Sequence, residues 1–419
     1  MEECVMPSQY EELSSKLYFS KEAAEYLGIS MQRLNKLVQD GKIKPLKKSS
    51  SATIFHVDEL NKRKKELAIF TTIEQKGGKG MFKIDTKVKQ EALNFATLMN
   101  ALKKTEHSLE PVFNEFAKVT DVTIPLSDNT VINAYVQTFN IDKEFLLDIY
   151  IEAEKAFRSL KETDEIIKRG SEDYPPLLMK TEQAPRFLYI RGRKSLLFEK
   201  RTVALVGSRH ASSKAQDNTA RLAKILGANG ITVISGLAKG IDVAGHVSAL
   251  RNGFNTIAVI GTNLNQYYPK ENENVQREIE KRGLVVSQFS PANKTERWFF
   301  PLRNGVMSGL SLATVIMEAG ETSGALKQAD FALKQDRQVL IPASAFNIPN
   351  VTWPHRYVER GAQVVNNSTE ILTALSNSHI FNTDDPTQQT ISDYLGIQKT
   401  ATYEQTSLFD WFEPVTVGE

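Results

Sequence analysis

Short β-branched runs alternate with helical stretches between Thr202 and Val365, and this repeat is the clearest pattern in the chain. The first three runs each end in a loop rich in glycine or serine, and they read VALVGSRH (203–210), ITVISGLAKGID (231–242) and TIAVIGTNLNQYYP (256–269). Strands that alternate with helices at this spacing predict an α/β fold with a doubly wound parallel sheet. We expect the sheet domain to span residues 164–375.

The loops after these strands predict a site for an anion. In doubly wound sheets, ligands bind beyond the carboxyl ends of the strands, where these loops lie. Two of the loops supply backbone N–H groups at helix starts, and the first adds Arg209, which can hold a phosphate through two parallel hydrogen bonds. Gly207 allows the tight turn after the strand, and Ser208 adds a hydroxyl group. Phosphate is therefore the expected ligand.

Further candidates for this site lie in the second loop and in a later aromatic stretch. Gly236 and Gly240 let the backbone approach closely, and Lys239 adds a positive charge. We interpret Asp242 as a brace of its own loop, because a carboxylate would repel phosphate. Arg297 is followed by three aromatic residues on whose faces unstacked bases can lie, and we expect two of the three to belong to the core.

Several short motifs follow one another in a fixed order between about Ile166 and Ile371. They include DYPPLL (173–178), APRFLYIRG (184–192), FPLRN (300–304), EAGETSGAL (318–326) and RGA (360–362), together with the three loops above. In order and spacing they resemble the DNA-processing protein A family, called DprA or Smf. The resemblance implies a Rossmann-like sheet that binds single-stranded DNA, transfer of the strand to the RecA recombinase, and a homodimer. It also implies that Phe300 contacts a base, and we expect Arg303 and Asn304 to complete the phosphate pocket unless they only begin a helix.

The chain departs from the family pattern around the rim of the expected site. Asn263 and Asn265 stand where the family usually has Gly and Asp, and Gly305 stands where it usually has Arg. The segment IPASAF (341–346) replaces an ending in Pro-Gly, and NVTWPHRYVE (350–359) replaces a stretch rich in Ser, Gly and Asn. The phosphate side of the pattern is intact.

The first 70 residues predict a winged helix-turn-helix. Ser20 caps a helix that Gly28 closes, Ser30 caps a second helix that Gly41 ends, and a basic stretch and a strand-like run follow. This order resembles the MerR and excisionase proteins, which implies binding of duplex DNA. The expected contacts with the major groove and the phosphates are Met31, Gln32, Arg33, Lys36, Lys47 and Lys48. The alternative is a helical protein-interaction domain with a basic face.

The remaining segments connect or follow these two domains. Residues 71–85 predict a Gly/Lys-rich linker, residues 86–163 a helical subdomain, and residues 376–419 a mostly disordered tail. Residues 405–409 resemble the Gln-x-x-Leu-Phe peptide with which bacterial proteins dock on the replicative sliding clamp. Its contact residues would be Gln405, Leu408 and Phe409. The alternative is that this apolar cluster folds back onto the sheet domain.

Composition limits the classes of function only in part. The 419 residues have a net charge of +2, which does not by itself indicate a nucleic-acid binder. The single cysteine, Cys4, excludes an internal disulfide and a Cys-cluster zinc site, which fits a cytoplasmic location. The sequence has no apolar run near the length of a membrane span and no HExxH, Walker or Gly-x-Ser-x-Gly motif. We therefore expect no membrane association, metal or cofactor.

These patterns together predict a non-enzymatic protein that binds single-stranded DNA in recombination, DNA uptake or defence against mobile elements, with a duplex-binding head. One alternative is a nucleotide-sensing or N-glycosidic nucleotide-hydrolysing enzyme related to the lonely-guy proteins, with Arg303 and Glu318 in the reaction. We expect Glu318 rather to brace the turn in which it lies. A second alternative is a transcription factor whose sheet domain senses a ligand.

Overall fold

The computed structural model describes residues 16–27, 31–39, 41, 43–49, 52–61 and 82–377. The chain divides into two compact units between Arg158 and Ser159, and each unit is described by itself.

The first unit begins with a small α/β module. Its elements are β1 (Leu17–Phe19), α1 (Ser20–Leu27), α2 (Met31–Gln39), β2 (Lys47–Lys48) and β3 (Thr53–His56). The three strands form an antiparallel sheet in the order β1-β3-β2. The two helices bury Ala23, Ala24, Leu27, Leu34 and Leu37 against Phe55 of β3. Two short helices with a β-hairpin match the predicted order of elements, and β1 is an addition that the sequence pattern did not indicate.

Four helices make up the rest of the first unit. They are α3 (Lys87–Leu102), α4 (Glu106–Phe116), α5 (Asn129–Phe139) and α6 (Lys143–Arg158). Side chains of Thr86, Thr105 and Asp128 accept hydrogen bonds from backbone N–H groups at the starts of α3, α4 and α5. Helix α3 is buried on several sides, and the amide of Asn94 donates to the carbonyl oxygens of Val122 and Ile124, both at 2.8 Å. The stretch predicted as helical thus contains a helix with a polar, hydrogen-bonded side as well as an apolar stripe.

The second unit is built on one nine-stranded sheet. Its strands are β4 (Glu165–Lys168), β5 (Phe187–Gly192), β6 (Thr202–Gly207), β7 (Thr232–Ser235), β8 (Thr256–Val259), β9 (Leu284–Ser287), β10 (Ala313–Glu318), β11 (Gln338–Pro342) and β12 (Gln363–Val365). They are ordered β12-β11-β10-β6-β7-β8-β9-β5-β4. Neighbouring strands from β12 to β9 are parallel, whereas β5 and β4 form an antiparallel edge. The predicted α/β fold is confirmed, with this antiparallel edge as the difference.

Helices cover both faces of this sheet. They are α7 (Pro176–Met179), α8 (Ser213–Ala228), α9 (Ile241–Arg251), α10 (Glu273–Arg282), α11 (Phe299–Gly309), α12 (Gly324–Lys334), α13 (Trp353–Glu359) and α14 (Ser368–Ser376). Side chains alternate along β6, because successive residues of a strand point to opposite faces. Val203 and Leu205 lie in a core with residues of α8 and α14, whereas Ala204 and Val206 lie in a second core with residues of α11, α12 and α13. This double covering is what the β-branched, nearly continuous apolar runs predicted.

The order of the strands creates a crevice at β6. After β6 the chain adds β7, β8 and β9 on one side, and it then returns to place β10 on the other side. The loops that leave the carboxyl ends of β6 and β10 therefore run in opposite directions. A topological switch point of this kind is where open α/β sheets bind their ligands.

Candidate functional site

A cavity of about 520 Å³ lies at this switch point. Its walls come from residues 206–209 after β6, from Ala238 and Asp242 in the loop and helix after β7, from the first half of α11, and from residues 320–328 around the start of α12. The starts of α9 and α12 form part of these walls. Helix starts present backbone N–H groups and a partial positive charge. Among the predicted site residues, those that line the cavity are Gly207, Ser208, Arg209, Phe300, Arg303 and Asn304.

Arg209 is the exposed cation of the cavity. No described residue forms an ion pair or a side-chain hydrogen bond with its guanidinium, so the fork remains available to a ligand. The neighbouring Ser208 hydroxyl accepts a hydrogen bond from the backbone N–H of His210 at 3.0 Å, which fixes the loop around Arg209. Lys327 of α12 adds a second exposed cation to the wall, with its ammonium group 3.8 Å from a carboxylate oxygen of Asp330. Both cations favour an anionic ligand.

Arg303 is buried behind the cavity wall, with 6% of its surface exposed. Its guanidinium donates to the carbonyl oxygens of Gly236, at 2.6 Å, and of Val259, so that it ties together the ends of β7 and β8. Burial lowers the pKa of Arg303 to about 10, while the carboxylate of Asp242 acts in the opposite direction. Arg303 thus contributes positive potential and rigidity to the cavity wall. Its hydrogen bonds to Gly236 and Val259 use its guanidinium within the protein.

The glycines of the second loop make room for this arrangement. A Cβ atom at Gly236 would lie 2.3 Å from the Arg303 guanidinium. Gly240 has a φ of +73°, and a Cβ atom there would lie 2.3 Å from the carbonyl oxygen of Ser208. The first and second loops can therefore meet only because residue 240 is glycine. The predicted close approach is real, but it is made by neighbouring parts of the protein.

Asp242 braces the second loop, as the sequence indicated. Its Oδ2 accepts hydrogen bonds from the backbone N–H groups of Gly236 and Ala238, both at 3.2 Å. Burial raises the pKa of this carboxyl group, and the positive charge of Arg303 opposes the rise. The carboxylate is turned toward backbone donors, so it does not oppose an anion across the cavity.

Two glutamates, Glu318 at the end of β10 and Glu321 in the loop that follows, accept hydrogen bonds from the starts of other helices. Glu318 accepts from the backbone N–H of Ser212 at 2.8 Å and from its hydroxyl at 2.7 Å, just before α8. Glu321 accepts from the backbone N–H groups of Thr352 and Trp353 at the start of α13. The expectation that Glu318 braces its own turn is wrong, because its carboxylate reaches across to another loop.

The aromatic residues divide between core and surface. Phe299 is buried and stacks on Phe289, with ring centroids 3.9 Å apart. Phe300 is half-buried and lines the cavity, and 44% of Trp298 is exposed. Only Phe299 therefore belongs to the core, where two of the three aromatic residues were expected. The sequence reasoning also overlooked Tyr268, which is 52% exposed and has its ring centroid 5.2 Å from that of Phe300.

The remaining candidates of the sheet domain lie outside the cavity wall. Lys239 is exposed and pairs with Glu271 at 2.7 Å. Arg297 is exposed just before α11. The sequence reasoning missed Gly320, Thr322, Ser323 and Lys327, which also line the cavity. The first three belong to the EAGETSG motif and Lys327 follows it, so the position of this motif at the end of a strand was the available signal.

The departures from the family pattern have structural roles in this chain. Asn263 is buried, and its side-chain oxygen accepts from the backbone N–H of Asn265 at 3.0 Å. The side chain of Asn265 accepts from Arg191 at 3.1 Å and donates to Ser159 at 2.9 Å. Gly305 leaves space for Gln183, whose Cγ would lie 2.8 Å from a Cβ atom at position 305. The diverged positions therefore belong to the framework around the cavity.

The predicted duplex contacts lie partly within the described residues. Met31 and Gln32 are exposed at the start of α2, and Lys47 and Lys48 are exposed on β2. The side chains of Arg33 and Lys36 lie outside the described residues, as do Gln405, Leu408 and Phe409 of the proposed docking peptide. No three His, Cys, Asp or Glu side chains in the described part of the chain are grouped to hold a metal ion. Within the same residues, no helix combines the length and apolarity needed to cross a bilayer.

Fold and site together define a doubly wound α/β protein whose switch-point cavity is lined by the exposed Arg209. The family model of the DNA recombination-mediator protein A matches residues 165–376, and the chain belongs to this family. The match includes all nine strands of the sheet.

Individual relatives agree with this assignment. The chain is 36% identical over 209 residues to protein Smf of Synechocystis, a match that covers 48% of this chain and 52% of that protein. It is 37% identical over 201 residues to the DNA processing protein DprA of Streptococcus pneumoniae, covering 48% of this chain and 70% of that protein. The solved structure of DprA from S. pneumoniae superposes with a TM-score of 0.52 at 29% identity, covering 68% of this chain and 95% of that one. The chain thus spans about half the length of the Synechocystis relative, and the similarity lies in the sheet domain.

Proposed function

We propose that this protein binds single-stranded DNA, with a backbone phosphate in the cavity at the switch point and bases against the aromatic residues at its mouth. The observation that carries the proposal is the position of Arg209: an exposed, unpaired guanidinium shares one cavity with two helix starts and the half-buried ring of Phe300. Membership of the DNA recombination-mediator protein A family supports it.

The preference for a single strand follows from the aromatic part of the site. Phosphate contacts position a nucleic acid but do not distinguish its forms by themselves. The face of Phe300 is accessible only to a base that has left its stack, and in a duplex the bases are already stacked on their neighbours. A site that combines cations with aromatic faces is typical of proteins that bind single strands.

We propose a binding protein rather than an enzyme. In the hydrolase alternative, Arg303 and Glu318 would act on a nucleotide. The guanidinium of Arg303 is engaged by backbone carbonyl oxygens, and the carboxylate of Glu318 is engaged by Ser212. Both groups are thus already engaged by the protein, which favours the binding function.

The biological setting and partners extend this proposal. The expected roles are recombination, DNA uptake or defence against mobile elements, with RecA as a partner, a cytoplasmic location and a homodimer as the assembly. The first 70 residues would act as a duplex-binding head, because exposed Gln32 at the start of α2 and exposed Lys47 and Lys48 on β2 form a polar, basic surface. Residues 405–409 would dock on the sliding clamp.

A titration with three classes of labelled ligand tests the function. The purified chain is mixed with oligo-dT, with a hairpin duplex and with nucleoside monophosphates, at fixed ionic strength. We expect the full chain to bind oligo-dT more tightly than the hairpin duplex once Arg33→Ala has removed the duplex activity of the head. Strong binding of monophosphates with no binding of oligo-dT would instead favour a nucleotide-sensing protein.

Partner binding by the chain's last residues has its own test. Purified sliding clamp is passed over the immobilised chain and over a Leu408→Ala, Phe409→Ala double variant. We expect capture by the natural chain and none by the variant. If both proteins capture the clamp equally, or if neither captures it, residues 405–409 are not a docking peptide for the clamp.

A further inference from the structure

Tyr268 presents an exposed aromatic ring beside the phosphate cavity. It lies in the loop after β8, and 52% of its surface is exposed. Its ring centroid is 5.2 Å from that of Phe300, and the two ring planes are inclined at 50°. Phe300 lines the cavity, so Tyr268 extends the aromatic surface outward from the phosphate site.

Phe300 is held in place by the loop that carries Tyr268. The ring packs directly over Gly261, since a Cβ atom at that position would lie 2.6 Å from its Cδ1. Only a glycine at position 261 permits this contact. One part of the loop after β8 therefore supports the Phe300 ring, and another part of the same loop adds the Tyr268 ring.

Hydrogen bonds fix this loop to the end of β9 and to the segment that follows it. The hydroxyl of Ser287 donates to the carbonyl oxygen of Thr262 at 2.7 Å, and the side-chain amide of Asn263 donates to the carbonyl oxygen of Asn293 at 3.3 Å. The hydroxyl of Thr295 also donates to the side chain of Gln266. Because the loop is tied at several points, ordering the two rings on binding has a small entropic cost.

The neighbouring tyrosine shows what an engaged ring looks like in this loop. Tyr267 is half-buried, with the guanidinium of Arg277 4.3 Å from its ring centroid and its hydroxyl 3.5 Å from Glu280. Tyr267 is thus occupied by the protein through its face and its hydroxyl. The contact that the structure gives Tyr268 is the ring of Phe300, and more than half of its surface is left to solvent.

We propose that Tyr268 is a second stacking platform, which takes the unstacked nucleobase next to the nucleotide whose phosphate occupies the cavity. This inference rests on the proposed binding of single-stranded DNA, and it names a subsite for the base outside the phosphate pocket. Stacking depends on the face of the base and not on hydrogen bonds at its edge, so the subsite accepts any of the four bases.

Binding of labelled oligo-dT to the full chain tests the subsite. Tyr268→Ala should weaken binding about five- to tenfold, the usual effect of removing one stacking partner. Tyr268→Phe should bind within about twofold of the natural chain, because it keeps the ring. Tyr268→Leu, which keeps an apolar side chain of substantial volume, should behave like the alanine variant. The control is Phe198→Ala, which removes an aromatic residue of similar exposure (42%) far along the chain from this loop.

An oligomer of abasic deoxyribose phosphates separates stacking from phosphate binding. The natural chain and Tyr268→Ala should bind this probe equally, since it offers no base. A loss of affinity by Tyr268→Ala that is just as large with the abasic probe would overturn the inference, and so would a phenylalanine variant as weak as the alanine one. If the natural chain binds oligo-dT and Tyr268→Ala binds it equally, the subsite alone fails. If the natural chain does not bind oligo-dT, the proposed function itself fails.

Discussion

Basic side chains line a cavity at the switch point and another beside β5 and α10, and of these two only the first contains a basic side chain that has no ionic partner among the described residues. The first is the cavity of about 520 Å³ at the switch point between β6 and β10. The second, of about 330 Å³, lies beside β5 and α10, and its basic residues are Lys161, Arg191, Arg277 and Lys281. By residue type alone the second cavity looks like the better anion site.

The partners of these cations reverse that impression. The guanidinium of Arg191 is buried and binds both carboxylate oxygens of Asp164 at 2.7 Å, with Glu280 at 3.4 Å. The other ion pairs there are Lys161–Glu280, Arg277–Glu273 and Lys281–Glu278, each at 2.7 Å. At the switch point, by contrast, Arg209 has no ionic partner among the described residues. Basic residues are available to an anion only where the protein itself does not neutralise them, so Arg191 has a structural role and Arg209 is the residue that we propose for the phosphate contact.

The largest expected effect is on stability, from the variant Arg191→Ala. Removing Arg191 leaves the buried carboxylate of Asp164 without its ionic partner, and the loss of one member of a buried ion pair typically costs about 3–5 kcal/mol. We expect a lower urea midpoint for the sheet domain, measured by the fluorescence or circular dichroism of the full chain. Arg193→Ala is the matched control, because Arg193 is exposed and donates to Asn255 at the surface. Equal midpoints for the two variants would contradict the structural role of Arg191.

The sequence revealed the sheet more completely than it revealed these pairings. The β-branched runs at 203–207, 231–235 and 256–260 became β6, β7 and β8, because parallel strands buried on both faces are apolar throughout. The antiparallel edge of β4 and β5 was not indicated, since its pairing with β9 depends on contacts between residues about 100 positions apart. The ion pair of Arg191 with Asp164 was not indicated either, because the two residues are 27 positions apart in the sequence.

The second prediction concerns the pH dependence of stability, which we expect to arise in part from a buried histidine of α9. His246 is fully buried, and its Nδ1 lies 2.7 Å from the hydroxyl of Thr256. Burial disfavours the charged imidazole and lowers the pKa of His246 to about 3. The folded state therefore stays neutral at this residue while the unfolded state takes up a proton below a pH of about 6.5. Stability is complete above that pH and decreases as the pH falls toward 3.

At pH 5 the loss from His246 should be about 2 kcal/mol relative to pH 7. The measurement compares urea midpoints of the natural chain and of His246→Gln at both pH values. Asp242, whose raised pKa acts in the opposite direction, is present in both proteins and cancels in the comparison. We expect the glutamine variant to lose less stability between pH 7 and pH 5. The same loss in both proteins would contradict a neutral, buried His246.

The smallest expected effect comes from Lys239. This lysine has an ionic partner, as Arg191 does, but it is exposed, as Arg209 is. Its ion pair with Glu271 is exposed, with half of the lysine side chain accessible, and exposed pairs contribute little to stability. Lys239→Ala should leave the urea midpoint unchanged. If Lys239 exchanges Glu271 for a phosphate, the slope of binding against salt should decrease by about one unit. An unchanged slope would place Lys239 outside the DNA path.

The candidate site was predicted in its backbone more than in its side chains. Arg209 and the loop glycines could be identified, because phosphate sites need tight turns and a forked cation after a strand. The role of Arg303 could not be identified, because its partners Gly236 and Val259 are 67 and 44 positions away. Tyr268 was overlooked, because the YYP run does not show which of its two rings the protein covers.

The affinity of Arg209→Ala for oligo-dT tests the contrast between unpaired and paired cations most directly. The matched control is Arg251→Ala, because Arg251 is exposed at the C-terminal end of α9, whose N-terminal end contributes Asp242 to the cavity wall. We expect Arg209→Ala to lose about 1.5–3 kcal/mol of binding free energy and part of the salt dependence, with an unchanged urea midpoint. Arg251→Ala should bind like the natural chain. If folded Arg209→Ala binds oligo-dT with unchanged affinity, the cavity at the switch point is not the DNA site.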